Sequence, residues 1–300
     1  MIIAIASGKG GTGKTTVAVN LALSLSSQQE RSNPARPDVQ GSSPLLLDCD
    51  VEEPNAALFL KPSIGERREV GQWVPEVDLK TCTFCGRCAE VCQYHALAVV
   101  ADKVLVFSEL CHGCGSCTLN CPVGAIREVL HPMGTLERGW TGQVEFAQGT
   151  MNVGEAMAVP IIRQLKRWAI PANEGRGAGV PPPFRPILLD APPGTACPVV
   201  ETMRGADLAL MVTEPTPFGL HDLRLAVEVA RGELGLPVGV VINREGVGDR
   251  GVDAYCAEEG IPILMRIPLD RRIAEAYSEG VSLVEALPEY RDRFRELYAQ

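Results

Sequence analysis

No apolar run in this 300-residue chain approaches the ~18–20 residues that a membrane-spanning helix needs. The opening Met1-Ile2-Ile3-Ala4-Ile5-Ala6 is too short, and lacks the basic start, for a secretory signal, so it reads as a first strand and the chain as soluble and cytoplasmic. Basic charge is also in short supply: 28 Lys and Arg stand against 37 Asp and Glu, a formal net charge of −9. That balance opposes broad contact with nucleic-acid phosphates or an anionic membrane. Without an export signal, the 11 cysteines read as reduced thiols available to a metal or to catalysis, not as a disulfide framework.

What is present falls into two patterns. Short apolar runs at Ile2 to Ala6, Leu45 to Leu47, Ile187 to Leu189, Leu208 to Val212 and Val238 to Ile242 read as buried parallel strands. Between them, Val17, Leu21 and Leu25 share one helical face, as do Leu223, Val227 and Ala230. Strand and helix in alternation predict an α/β fold with a doubly wound, mostly parallel sheet. The Ser-, Pro- and Arg-rich stretch from Gln28 to Ser43 and the stretch from Pro171 to Pro186 read as loops that lengthen the chain before a strand. Glu289 to Gln300 mixes Arg291, Arg293 and Arg295 with acids, and reads as a packed terminal helix and not a membrane anchor.

Directly after the first strand stands Gly8-Lys9-Gly10-Gly11-Thr12-Gly13-Lys14-Thr15-Thr16, followed by the first helix. Strand, glycine loop and helix are the context in which backbone N–H groups curl around phosphate at a helix N-terminus. Lys14 would reach the β- and γ-phosphates, and the Thr15 hydroxyl would bind Mg²⁺. The second lysine, Lys9, carries a resemblance: the loop is similar to the deviant Walker A motif of the MinD/ParA/Mrp class of ATPases, the SIMIBI type of P-loop NTPase. The resemblance implies that Lys9 reaches the partner's nucleotide in an ATP-sandwiched dimer, a homodimer or a heterodimer with a related ATPase. It also implies that Asp50, after Leu45-Leu46-Leu47-Asp48, orients the attacking water, and that Asp48 steadies the Mg²⁺ shell. Either acid could instead cap the next helix. In Ile187-Leu188-Leu189-Asp190-Ala191-Pro192-Pro193-Gly194, Asp190 matches the Walker B acid and Gly194 the γ-phosphate sensor. Asn243, ending the Val240 to Ile242 strand, resembles the adenine-reading asparagine, with a strand-ending turn as the plainer reading. No Asn-Lys-x-Asp guanine signature was found, which favours ATP.

Eight cysteines fall between Cys82 and Cys121. Cys82-x2-Cys85-x2-Cys88-x3-Cys92 recurs as Cys111-x2-Cys114-x2-Cys117-x3-Cys121, offset by 29 residues, with Gly86 matching Gly115 and Ala96 matching Ala125. In two-cluster ferredoxins the delayed fourth cysteine belongs to the other cluster. The expected ligand sets are therefore Cys82, Cys85, Cys88 and Cys121, and Cys111, Cys114, Cys117 and Cys92, each for a [4Fe–4S] centre. Paired four-cysteine zinc sites are the competing reading, disfavoured by a third and a delayed cysteine in each run. The cysteine module, at 71–130, is a small α+β ferredoxin-like insert within an ATPase domain made of 1–70 and 131–300. His95, His112 and His131 read as surface imidazoles. Cys197, three residues past Gly194, resembles a cluster ligand of the nitrogenase iron protein, which uses two cysteines per chain; with no second here, it reads as a small buried thiol, as do Cys49 and Cys256.

Together the modules resemble MinD-superfamily ATPases with an inserted ferredoxin domain. The resemblance implies slow, partner-stimulated ATP hydrolysis and nucleotide-dependent dimerisation, coupled to electron transfer or cluster handling with an unidentified redox or iron-sulfur protein partner. The alternative is a MinD- or ParA-like positioning or scaffold ATPase in which the clusters sense redox state or serve structure.

Overall fold

Runs of Ile, Leu, Val and Ala that bury both faces need neighbours on two sides, and the central strands supply this for one another. The computed structural model describes residues 1–26, 43–170 and 185–300. The two stretches expected as loops fall largely outside the described residues. In chain order the elements are β1 (Ile2–Ala6), α1 (Lys14–Leu25), β2 (Leu45–Asp48), α2 (Ala56–Leu60), β3 (Ser63–Val77), α3 (Arg87–Glu90), β4 (Leu97–Val100), β5 (Lys103–Val106) and α4 (Ser116–Leu119). There follow β6 (Ile126–Thr141), β7 (Val144–Met151), α5 (Val159–Ala169), β8 (Ile187–Asp190), α6 (Cys197–Met203), β9 (Leu208–Thr213) and α7 (Pro217–Val227), which continues as a π-helical turn over Glu228–Glu233. The chain ends with β10 (Val238–Glu245), α8 (Gly251–Glu258), β11 (Ile263–Pro268), α9 (Arg271–Ser278), α10 (Leu283–Ala286) and α11 (Tyr290–Ala299).

A nine-stranded sheet runs in the order β11-β10-β9-β1-β8-β2-β7-β6-β3. From β11 to β7 every neighbouring pair of strands is parallel. The doubly wound, mostly parallel α/β sheet read from the sequence is therefore the observed fold. The sheet is wider than the apolar runs foretold: β6 and β7 meet through a tight turn at Gly142, whose φ is 53°.

Two compact units divide the chain. The first is Met1–Arg68, Leu136–Thr150 and Ile162–Gln300; the second is Glu69–Thr135 with Met151–Ile161. The second thus takes in residues on either side of 71–130, because β3 and β6 are long strands and Asn152 bonds back to Met133, its N–H to the carbonyl at 2.8 Å.

In the first unit, α1 is buried nearly all round, so even its polar residues are bonded inside. Asn20 donates to the Thr16 carbonyl at 2.6 Å and accepts from the Val284 N–H at 2.8 Å, pinning α10 to α1. Tyr290, Phe294 and Leu297 of α11 enter the same core, while Arg291 and Arg295 donate to the Leu23 and Ser24 carbonyls at 2.7 and 2.9 Å. Cations at a helix C-terminus satisfy carbonyls that the helix leaves unpaired. Two of the three arginines of the terminal helix thus cap α1.

In the second unit, β4 and β5 form an antiparallel pair. The small core there joins Val74, Ala96, Leu97 and Ile126 to Cys92, Cys111 and Cys117.

Candidate functional site

Parallel strands deliver their C-terminal ends to one rim of the sheet, and the loop after β1 forms at that rim. Register places Asp190 beside both Ile5 and Asp48, so the acid ending β8 stands between the strand that feeds the glycine loop and the acid ending β2. Two glycines are fixed by contact. A Cβ on Gly8 would fall on the Asp222 carbonyl of α7, and one on Gly13, whose φ is 94°, would fall on the Asn243 amide. Gly8→Ala is expected to displace the loop at a cost of about 1–3 kcal/mol, or roughly 10–100-fold in nucleotide affinity. Titration with a fluorescent ATP analogue checks this, and unchanged affinity would contradict it.

Lys14 is buried, which lowers its pKa, while the nearby Asp190 and Asp50 carboxylates work the other way. Asp190 is fully buried, and burial pushes its carboxyl well above the usual carboxylate range. The Thr15 hydroxyl lies close enough to help its charge, yet neither Asp190 oxygen has a hydrogen bond of ordinary geometry among the described residues. A buried carboxylate left without donors beside a hydroxyl is a donor set for a hard cation, and Mg²⁺ fits it. The hydroxyl of Thr12, also buried, is likewise unpartnered among the described residues.

Asp48 is spent on the chain itself. Its Oδ1 accepts from the Asp50 N–H at 3.1 Å, and its Oδ2 from the Asn55 and Ala56 N–H groups, both at 2.9 Å. It anchors the loop that carries Asp50 and meets the first amides of α2, the capping role left open by the sequence. Burial dominates these bonds and raises Asp48 to about 7. Asp50 is raised to about 6, again by burial, with Lys14 pulling against the rise.

Three residues in the region already have intramolecular partners. Lys9 Nζ lies 3.2 Å from a carboxylate oxygen of Glu214, whose other oxygen takes Arg244 Nη1 at 2.5 Å. The Gly194 N–H donates to the Ser7 carbonyl at 3.1 Å, with φ at 94°. Asn243 donates from Nδ2 to the Thr12 carbonyl at 2.8 Å and accepts the Arg244 N–H on Oδ1 at 2.9 Å. Its amide braces the phosphate loop from behind.

Cys197 opens α6 and is exposed, which corrects the expectation of a buried thiol. It follows a Pro-Pro-Gly turn at the surface, where a small side chain is not drawn inward. Cys49 and Cys256 are buried as expected. Sequence reasoning missed Lys166 of α5, whose ammonium donates to the Glu201, Thr202 and Arg204 carbonyls at 2.7, 2.9 and 2.7 Å and so caps the end of α6. Arg163 pairs with Glu201 in the same contact. Neither residue carries a motif; an amphipathic stretch with three cations, Arg163, Lys166 and Arg167, was the available signal.

In the second unit the eight cysteines are free thiols lining two cavities. One has Cys82, Cys85, Cys88 and Cys121 in its wall; the other has Cys92, Cys111, Cys114 and Cys117. These are the exchanged quartets. Among the described residues, no three His, Cys, Asp or Glu side chains gather tightly enough for a single ion.

The 29-residue repeat is written into the backbone as well. Positive φ recurs at Phe84 and Gly113, at Gly86 and Gly115, and at His95 and Gly124. The Phe84 and Gly113 N–H groups donate to the Cys82 and Cys111 sulfurs, each at 3.4 Å. Those of Ala96 and Ala125 donate to the Cys92 and Cys121 sulfurs at 3.3 and 3.2 Å. Four thiols around a cavity, with backbone donors aimed at sulfur, fit a cluster held by thiolates. Of the histidines, His112 stacks on Tyr94 at 3.7 Å and His131 bonds Glu155 at 3.0 Å.

Comparison with known proteins comes to the same fold. A model of the CobQ/CobB/MinD/ParA nucleotide binding domain matches residues 3–284. An uncharacterized protein of Methanocaldococcus jannaschii is 30% identical over 294 residues, spanning 95% of this chain and 92% of that one. A cytosolic Fe-S cluster assembly factor Nubp1 homolog of Drosophila sechellia is 32% identical over 121 residues, or 33% of this chain and 39% of the relative. Among solved structures, the cell division ATPase MinD of Pyrococcus furiosus covers 99% of this chain and 96% of its own, with a TM-score of 0.55 at 22% identity. A ParA family ATPase of Chlorobium tepidum gives 0.54 at 13% identity.

Proposed function

Because the chain belongs to the CobQ/CobB/MinD/ParA nucleotide binding domain family, we propose that it is an ATP-hydrolysing iron-sulfur protein in which nucleotide-dependent dimerisation governs two [4Fe–4S] clusters held by the cysteine module. The observation that carries this reading is the coincidence of the two cavities with the two exchanged cysteine quartets, in a chain whose glycine loop faces an unpartnered buried acid. The segment shared with a Nubp1 homolog supports an iron-sulfur role.

In this reading the loop amides from Gly8 to Thr16 cradle the phosphates and Lys14 neutralises them, while Thr15 and Asp190 hold Mg²⁺. Asp50, held in place by Asp48, orients the attacking water, and Asn243 braces the loop close to where the base would lie. Gly194 exchanges the Ser7 carbonyl for the γ-phosphate, so its turn moves with nucleotide state. Lys9 likewise exchanges Glu214 for the nucleotide of a second copy or of a related subunit. Interactions available with ATP and absent with ADP set the energy of closure. The clusters, when bound, supply one-electron storage; Cys82, Cys85, Cys88 and Cys121 hold one, and Cys92, Cys111, Cys114 and Cys117 the other.

Anaerobic purification is expected to give about eight irons per chain, in line with two four-iron centres. Light scattering of a hydrolysis-deficient variant is expected to show more dimer with ATP than with ADP, and EPR of the reduced protein is expected to change with Mg-ATP. Iron-free protein, or one dimer fraction in every nucleotide state, would overturn the reading. A spectrum indifferent to nucleotide would favour the scaffold alternative.

A further inference from the structure

Because the two cysteine cavities are copies related by the 29-residue repeat, whatever differs between them stands out against a shared background. The backbone donors to sulfur do not differ. Each cavity receives one N–H on an early cysteine and one on a delayed cysteine, from equivalent residues and at near-equal distances. Hydrogen bonding to sulfur, solvent access and net charge set the potential of such clusters. The backbone share of the first is balanced by the repeat, while the Thr118 hydroxyl beside Cys117, where the other half has Ala89, offsets part of the charge difference described next.

The charges are not balanced. Position 99 and its counterpart 128 both line their cavities, as Val99 in one and Glu128 in the other. The Glu128 carboxylate reaches in, lying 3.2 Å from where a Cβ on Gly115 would stand. Position 87 and its counterpart 116 also line the cavities, as Arg87 and Ser116. Arg87 pairs with Glu90 at 3.2 Å, both side chains well exposed, so its field at the cavity is weakened and Glu128 carries most of the difference. Solvent access leans the same way. Cys92, Cys111 and Cys117 are 9, 7 and 8% exposed, whereas Cys82, Cys88 and Cys121 are half-buried. Reduction adds negative charge to a group already ringed by four thiolates, which a nearby carboxylate and a drier wall both disfavour.

Resting on the cluster reading above, we propose that the two sites differ in reduction potential, with the Cys82/Cys85/Cys88/Cys121 site the higher, so that a single electron given to the chain comes to rest there. The exchange is balanced within the chain: one electron leaves the reduced cluster at Cys92, Cys111, Cys114 and Cys117 and reduces the oxidised cluster at the other site. No bond or proton moves. The electron enters from a low-potential one-electron donor. The preference is expected to be about tenfold, equivalent to about 59 mV for a one-electron couple.

An EPR-monitored redox titration of the anaerobically purified full chain, with every variant in the same buffer, tests this. Wild-type protein is expected to show two one-electron steps. Glu128→Val, which installs the residue found at the equivalent position 99, is expected to raise the lower step and leave the upper where it was. Arg87→Ser is expected to lower the upper step by a smaller amount. Glu128→Gln keeps the shape and removes the charge, and it serves where the valine variant does not fold. A single step in iron-replete wild-type protein, or a Glu128 variant that moves the upper step, overturns the inference and leaves the cluster reading standing. Protein without iron overturns the cluster reading itself.

Discussion

Replacing Asp190 with asparagine is expected to abolish ATP turnover and, without nucleotide, to make the protein harder to melt. Asp190 is fully buried and its oxygens have no hydrogen bond of ordinary geometry among the described residues, so its charge is helped by little but the nearby Thr15 hydroxyl and the Lys14 ammonium. Burial outweighs that help and drives the carboxyl well above its ordinary value. An acid whose folded pKa is raised favours folding most below about pH 4, and that contribution is lost as pH rises toward the folded value. With Asp48 at about 7 and Asp50 at about 6, the window runs from about pH 4 to 7 and beyond it for Asp190. Stability of the nucleotide-free protein should therefore fall across that range. Asp190→Asn should recover roughly 1–3 kcal/mol of it at pH 8, or about 2–4 °C of melting temperature per kcal/mol. Turnover should drop by on the order of 10²-fold or more, as expected when a metal clamp worth several kcal/mol is lost. Lys14→Ala separates the effects: it also stops hydrolysis, but strands the carboxylates and should melt earlier. Calorimetry at pH 5 and 8 beside a phosphate-release assay measures both, and a lower melting temperature for Asp190→Asn would refute the argument.

That the acid at position 190 belongs beside the glycine loop was legible in the chain, because an apolar run buried on both faces can hardly be anything but a central strand. Leu45 to Leu47, Ile187 to Leu189 and Leu208 to Val212 announced themselves in this way. The sheet's other margin did not. β3, reading Ser-Ile-Gly-Glu-Arg-Arg-Glu-Val, is charged and largely exposed over its first half, and what makes it a strand is pairing with β6, some 60 residues later in the chain. The cysteine quartets were readable because ligand spacing is local and repeated. The partners of Gly194, Lys9 and Asn243 were not, since each depends on which carbonyl or carboxylate folding brings near. Asp48 shows the limit most plainly: the same side chain suits an Mg²⁺ shell or a loop anchor, and three N–H groups at 2.9–3.1 Å decide how it is used here.

Stripping iron from the protein is expected to unfold the second unit and leave the first able to bind ATP. The buried core of that unit sets Val74, Ala96, Leu97 and Ile126 beside three cysteines, all of them free thiols. Val70, Ala125, Met133, Ala158 and Ile161 are buried elsewhere in the unit, but around the cysteines aliphatic packing is thin, and small modules with little core rely on staples. The cysteines are free thiols, so on the cluster reading proposed above the ligand bonds would supply them, and cluster binding would become folding energy. The proposed exchange of delayed cysteines would tighten the dependence: Cys92 and Cys121 would each hold the other half's cluster, so losing one site would loosen both. Cys117→Ser should therefore cost more than its own four irons and leave residues 69–135 open to protease. The glycine loop, Asp50 and Asp190 all lie in the first unit, and ATP affinity should change little. Limited proteolysis with mass mapping, before and after oxidative removal of iron, gives the readout. Equal protection of 69–135 in both samples would mean that the module folds by packing alone and that the thiols are not its scaffold.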